Sequence, residues 1–234
     1  DRWVDAVSRG YASVTGEVAF TPDARVGSHA AKIRGSPYDD YIATVNSTLL
    51  EGADALSIAC WIKLNGYTHY GGIVTSRDSF LKGFNQLQYS PPGIVEKGLQ
   101  FLVQVSGASS LVQVPGVLET NTWYLITGTW DRFGDGRARL YINGSLIGTG
   151  GGQVLVKMTQ ADYFKVGKDD GFAPGAANHK GIVDEVIIWN RALTSNEVYQ
   201  LYKGDGVTYP LRFQLRSGLT PADVLTATFG GPDG

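Results

Sequence analysis

Sulfur is nearly absent from this chain. One cysteine, Cys60, and one methionine occur in 234 residues, so no internal disulfide can form and no paired-cysteine redox or zinc motif exists. A lone thiol without a partnered histidine reads as a small buried hydrophobe rather than a nucleophile, and it does not fix the redox compartment. An excess of one charge is lacking as well. Lys and Arg total 20 against 22 for Asp and Glu, and no basic stripe is visible, so no nucleic-acid partner is expected. No apolar run approaches the roughly 20 residues that span a bilayer. P-loop, GxSxG, HExxH, CxxC and GxGxxG motifs are missing. The three histidines, His29, His69 and His179, are far apart, and no pair has helical ligand spacing. The chain opens at Asp1 without an initiator methionine or signal peptide, as a processed chain or a trimmed domain would.

Chain-bending residues and alternation are abundant instead. With 31 Gly and 9 Pro, about one residue in six punctuates the chain, which excludes coiled coil and suits one large β-domain. LSIACWIKL (56–64) places Ile58, Cys60 and Ile62 on one face. GLQFLVQVS (98–106), SLVQV (110–114), WYLITGTW (123–130), ARLYI (138–142) and IVDEVIIW (182–189) are further β-branched or aromatic runs bounded by turn residues. Asn143-Gly144 inside RARLYINGSLIGTG is the favoured type I′ hairpin turn. One helix is expected after Thr194, whose hydroxyl and Glu197 form a capping box; Val198, Leu201 and Tyr202 mark its apolar face and Gly204 its end. The expected fold is all-β, a two-sheet antiparallel sandwich with one short C-terminal helix.

Candidate chemistry is sparse. Asp39-Asp40 and Asp184-Glu185 are adjacent carboxylates, which a strand points to opposite faces, one in and one out. Tyr67, His69 and Tyr70 form the densest polar-aromatic cluster. Arg77, Gln86 and Gln88, with Gln100 and Gln104, can line one face of a sheet. A glutamine-bearing sheet with aromatics suits a glycan, whose many hydroxyls need donors and acceptors; a merely solvated sheet face has the same composition.

The ordered series LSIACWIKLN, WYLITGTWD, ARLYINGSLIGTG and FKVGKDDG…HKGIVDEVIIWNRALTSNEVYQLY resembles a laminin-G-like domain of the concanavalin A-like lectin/glucanase superfamily. VGSHAAKIRGSPYDDYIAT resembles an early strand of that family and YKGDGVTYPL its usual end, so the resemblance covers residues 3–210. It implies a jelly roll of two curved sheets. It also implies a structural Ca²⁺ held by Asp5, the Gly10 carbonyl and Asp184, since a hard cation takes oxygen ligands; the alternative is that Asp184 only accepts loop amides. YFKVG (163–167) resembles a motif of alginate-lyase-like relatives, but their histidine and arginine motifs are missing, Gln86-Leu87-Gln88 lacks their histidine, and no strand carries alternating carboxylates. Catalysis is therefore not expected.

Two departures shape the functional expectation. The family's usual first strand is not matched, and residues 211–234 extend past its usual end, so the chain divides into a 1–210 sandwich lacking that strand and a 211–234 extension. Within the extension LRFQLR alternates, and Leu211, Phe213 and Leu215 can fill the vacant slot in the same chain or in a neighbour. The leading expectation is a non-catalytic extracellular or cell-surface subunit of a layer, sheath or filament that self-associates through terminal strands. The alternative is a carbohydrate-binding or adhesion module of a larger extracellular protein; a polysaccharide lyase is a distant third.

Overall fold

The computed structural model describes residues 3–5, 11–43, 50–77, 81–87, 97–158, 164–169, 177–204 and 212–214. The alternating segments form antiparallel ladders in two packed sheets. The back sheet runs β13 (Ser145–Thr149), β12 (Arg139–Ile142), β11 (Trp123–Asp131), β6 (Ala55–Leu64) and β15 (Gly181–Trp189). The far edge of β15 is shared. Residues 181–183 pair with β4 (Ala30–Ile33), itself paired with β3 (Ala19–Thr21), whereas Val186 and Ile187 pair with β16 (Arg212–Gln214). β16 in turn pairs with β1 (Trp3–Asp5). The front sheet runs β10 (Ala108–Val114), β9 (Gly98–Val105), β8 (Leu81–Leu87), β7 (Gly71–Arg77), β14 (Lys165–Val166), β5 (Tyr41–Ala43) and β2 (Tyr11–Thr15). Because β2 also pairs with β1, the two sheets join along one side.

Period-2 patterning explains the layers. Leu56, Ile58, Cys60, Ile62 and Leu64 of β6 face Leu99, Phe101, Val103 and Val105 of β9 across one buried cluster. The Phe101 ring lies where a Cβ on Gly128 would be, so the absent side chain of a β11 glycine admits an aromatic from the opposite sheet. Trp130 is fully buried in the same cluster and donates from Nε1 to the Val154 carbonyl at 3.1 Å. A second cluster lies on the outer face of the back sheet. Ala59, Trp61, Leu125, Tyr141, Ile187 and Trp189 meet Leu193, Val198 and Leu201 there, with Trp123 and Tyr202 at its margin. Trp61 and Trp189 are thus buried and Trp123 borders them, under the helix rather than between the sheets.

That helix, α1 (Ser195–Lys203), is set by its ends. Thr194 accepts from the Glu197 N–H and Glu197 reaches back to the Thr194 N–H, while Gly204 closes the helix in the left-handed region. Burying Val198 and Leu201 contributes roughly 1.5–3 kcal/mol each. Asn143 and Gly144 both have positive φ, as a type I′ turn requires. Gly144 also lies against Tyr199 and Tyr202, so the hairpin supports the helix.

One local expectation is corrected. Asp184 and Glu185 do not point one in and one out; both are buried. A bulge interrupts the β15–β6 register between Asp184 and Ile187, and Glu185 has φ 47°, so strand alternation is broken between the two carboxylates. Phe213 of the extension lies in β16, opposite Asp5 on one side and Val186 on the other, within its own chain. Leu211 and Leu215 lie outside the described residues.

Candidate functional site

The two outer faces differ. The back sheet's is covered by α1, whereas among the described residues no helix lies on the front sheet's. Core-facing residues of β9 alternate with Gln100, Leu102 and Gln104, and those of β10 with Ser109, Leu111 and Gln113. Register carries this outer row across the sheet, from Leu111 through Leu102, Gly83, Thr75 and Lys165 to Ala43. The face is recessed on one side. Thr75, Gln100 and Lys165 are buried, whereas Leu111 and Gln113 are exposed. Gln113 Nε2 donates to Gln100 Oε1 at 3.0 Å.

At the recessed end an aromatic ring sits among cations. The ammonium groups of Lys165 and Lys168 lie 4.5 and 4.8 Å from the centroid of Tyr41. Lys168 also pairs with Asp39 at 2.7 Å, and its carbonyl accepts from Thr75 Oγ1 at 2.6 Å. The neighbouring Asp40 has a different partner. Arg34 grips it with two donors, Nε to Oδ2 at 2.6 Å and Nη2 to Oδ1 at 2.8 Å, and the Glu17 N–H adds a third at 2.8 Å. The Arg34 hydrogen bond holds the Asp40 carboxyl below its ordinary range, although burial opposes it. Asp39 and Asp40 therefore fasten the start of β5 rather than form an acid/base pair.

The sequence candidates for glycan contact are distributed as follows. Tyr67 packs against the core and donates from its hydroxyl to the Leu118 carbonyl at 3.0 Å; burial raises its pKa. His69 is exposed and meets Tyr70 edge-on at 4.6 Å. Tyr70 leads into β7 with φ 50°, a region that costs a non-glycine residue on the order of 1–3 kcal/mol. Arg77 ends β7 opposite Leu81. Gln86 pairs with Gly71 and Leu99, whereas Gln100 pairs with Asn85, so these two glutamines occupy successive rungs rather than one. Gln88 lies outside the described residues. Tyr41, Lys165 and Lys168 were not anticipated, because only the β14 pairing brings residue 165 beside residue 43.

For the expected cation, Asp184 is the one ligand whose side chain is described. Its Oδ2 accepts from the Arg25 and Val26 N–H groups at 2.8 and 2.9 Å, and its Oδ1 from the Glu185 N–H at 2.9 Å. Burial raises its pKa against these donors. Among the described residues, two donors reach Oδ2 and one reaches Oδ1, which leaves one acceptor direction on Oδ1. Asp5 lies in β1, separated from β15 by β16, and Gly10 lies outside the described residues. No group of three His, Cys, Asp or Glu residues fit for a metal occurs among the described residues.

The sequence profile of the Concanavalin A-like lectin/glucanases superfamily matches residues 35–199, well over half of the chain. The chain belongs to this superfamily. No curated protein sequence matches it. Among solved structures, this superfamily member is similar to domain 4 of AbnA, a GH43 extracellular arabinanase from Geobacillus stearothermophilus, in complex with arabinotriose. The TM-score is 0.62 at 18% identity, over 86% of this chain and 100% of that one. It is also similar to botulinum neurotoxin type C, described with two ganglioside molecules, at TM-score 0.61 and 17% identity, over 86% of this chain and 47% of that one. A third likeness is the native heptameric SAP-like pentraxin of Limulus polyphemus, at TM-score 0.56 and 20% identity, over 75% of this chain and 82% of that one. At these identities the likeness is one of fold.

Proposed function

We propose that this superfamily member is a non-catalytic carbohydrate-binding module that works outside the cell or at its surface. The observation that carries the reading is the composition of the front sheet. Its seven strands contain no aspartate or glutamate, and the rows that alternate with the core-facing residues carry Gln100, Gln104, Gln113, Tyr41 and Lys165. Glycoside cleavage draws on two carboxylates flanking the bond, whereas retention of a glycan needs hydrogen-bonding groups and aromatic surface. The similar arabinanase domain is described with a bound arabinotriose and the similar toxin with gangliosides, which accords with this use of the fold. The test uses the exposed end of the face. Leu111→Asp places a charge where a sugar ring would lie, and weakened binding on a glycan array with an unchanged melting temperature supports the reading. Wild-type binding in the variant would move the site elsewhere.

A second reading is assembly. β16 is three residues long, follows the helix from outside the profile match, and lies between β1 and β15. A strand so placed is exchangeable with that of another copy, and the similar pentraxin is described as a heptamer. A structural Ca²⁺ at Asp184 Oδ1, with Asp5 and the Gly10 carbonyl, belongs to either reading. Chelation then lowers the melting temperature; an unchanged melting curve withdraws the ion.

A further inference from the structure

An aromatic side chain outside that face is built as a platform. Tyr38 lies between β4 and β5 and is 49% exposed, although an aromatic of its size gains from burial. One side of its ring is backed by the Arg34 guanidinium, 4.0 Å from the centroid. That guanidinium is itself fixed at three nitrogens. Nε and Nη2 donate to the buried Asp40 carboxylate, and Nη1 donates to Glu17 Oε2 at 2.7 Å. The ring therefore rests on an immobilised base, and little rotamer freedom is left to lose when a ligand stacks on it.

We propose that Tyr38 is a sugar-stacking subsite that takes one ring of a neutral oligosaccharide. The inference rests on the carbohydrate-binding reading and adds a place and a ligand class to it. Stacking needs the apolar C–H side of a sugar ring against an aromatic face, and specificity needs a few polar groups at the rim. Glu17 supplies one; its side chain is 79% exposed, so its carboxylate can accept from a sugar hydroxyl as well as from Arg34. The charge selects the ligand. Arg34 with Asp40 and Glu17 sums to one negative charge, and the exposed member is the carboxylate, so a uronate or sulfated sugar is repelled here. The hydroxyl of Tyr38 adds a donor at the ring's far end.

The test is calorimetric titration of the full chain with arabinotriose, xylotriose and cellotriose, and in parallel with polygalacturonate. The expected result is binding of at least one neutral trisaccharide. Tyr38→Ala weakens it by about tenfold or more, and Tyr38→Phe holds it within about threefold. Tyr38→Phe is expected to melt with the wild type, and Tyr38→Ala slightly lower but as a folded protein at the titration temperature, because it gives up the half-buried ring and its contact with Arg34. Neutral-sugar binding unchanged in Tyr38→Ala overturns the subsite and leaves the carbohydrate-binding reading standing. So does binding of polygalacturonate alone. Binding of none of these sugars overturns the subsite, and a blank wild-type glycan array would then remove the wider reading as well.

Discussion

Buried titratable side chains set how this protein responds to acid. His179 is fully buried, and that burial lowers its pKa from 6.5 to about 4. In the unfolded chain the imidazole takes up a proton below pH 6.5, and in the fold it does not until about pH 4. The unfolded state thus binds more protons in that window, so stability is complete above pH 6.5 and falls as pH drops towards 4, by about 3 kcal/mol in total. His179→Leu is expected to flatten this limb of the melting-temperature profile; an unaltered slope would show that another group produces it. Asp40 has the other sign of charge and the same direction of loss. Its depressed pKa contributes stability above the ordinary carboxylate range that disappears as pH falls through the folded value. Asp40→Asn is therefore expected to melt lower than wild type at pH 7, with the gap closing in strong acid. Core packing gives a sharper residue-scale case. A Cβ at Gly128 would lie 2.5 Å from the Phe101 ring, so Gly128→Ala is expected to destabilise by roughly 1–3 kcal/mol in denaturant titration.

Elements were legible where a local rule governs them. The alternation of β6, the Asn143-Gly144 turn and the Thr194/Glu197 cap are each written in a few consecutive residues, and the structure reproduces them. Thr194→Ala tests the cap directly, with an expected loss of about 1 kcal/mol. Elements that depend on distant partners were less legible. The bulge at Asp184 is defined against β6, and no residue type announces it, since Glu185 rather than glycine takes the left-handed position. The cluster of Tyr41, Lys165 and Lys168 arises from pairing between segments more than 120 positions apart. Truncation probes β16 at the same scale. Without residues 211–234, Val186 and Ile187 lose their edge partner and β1 loses its link to the back sheet. The truncated protein is expected to be a folded monomer of lower melting temperature. Polymers of the full chain that vanish on truncation would favour the assembly reading instead.

At the scale of the whole molecule, the sandwich is asymmetric in use. The back sheet buries tryptophans under α1, which makes that side a second core. The front sheet has an outer face of mixed apolar and polar residues, recessed on one side, and no acidic residue in its strands. Membership of the superfamily was readable from the order of the strand segments, because each carries several aromatic and β-branched positions at fixed parity. The use of the fold was not, since a contact surface needs no invariant nucleophile or metal motif to mark it. Its position depends on which outer residues the register aligns. The most direct measurement is a glycan array probed with the full chain, with every bound polysaccharide then incubated with the protein and analysed for products. Retention of at least one glycan with its chain length unchanged is the predicted result. A blank array, or shortened chains in the incubation, would contradict it.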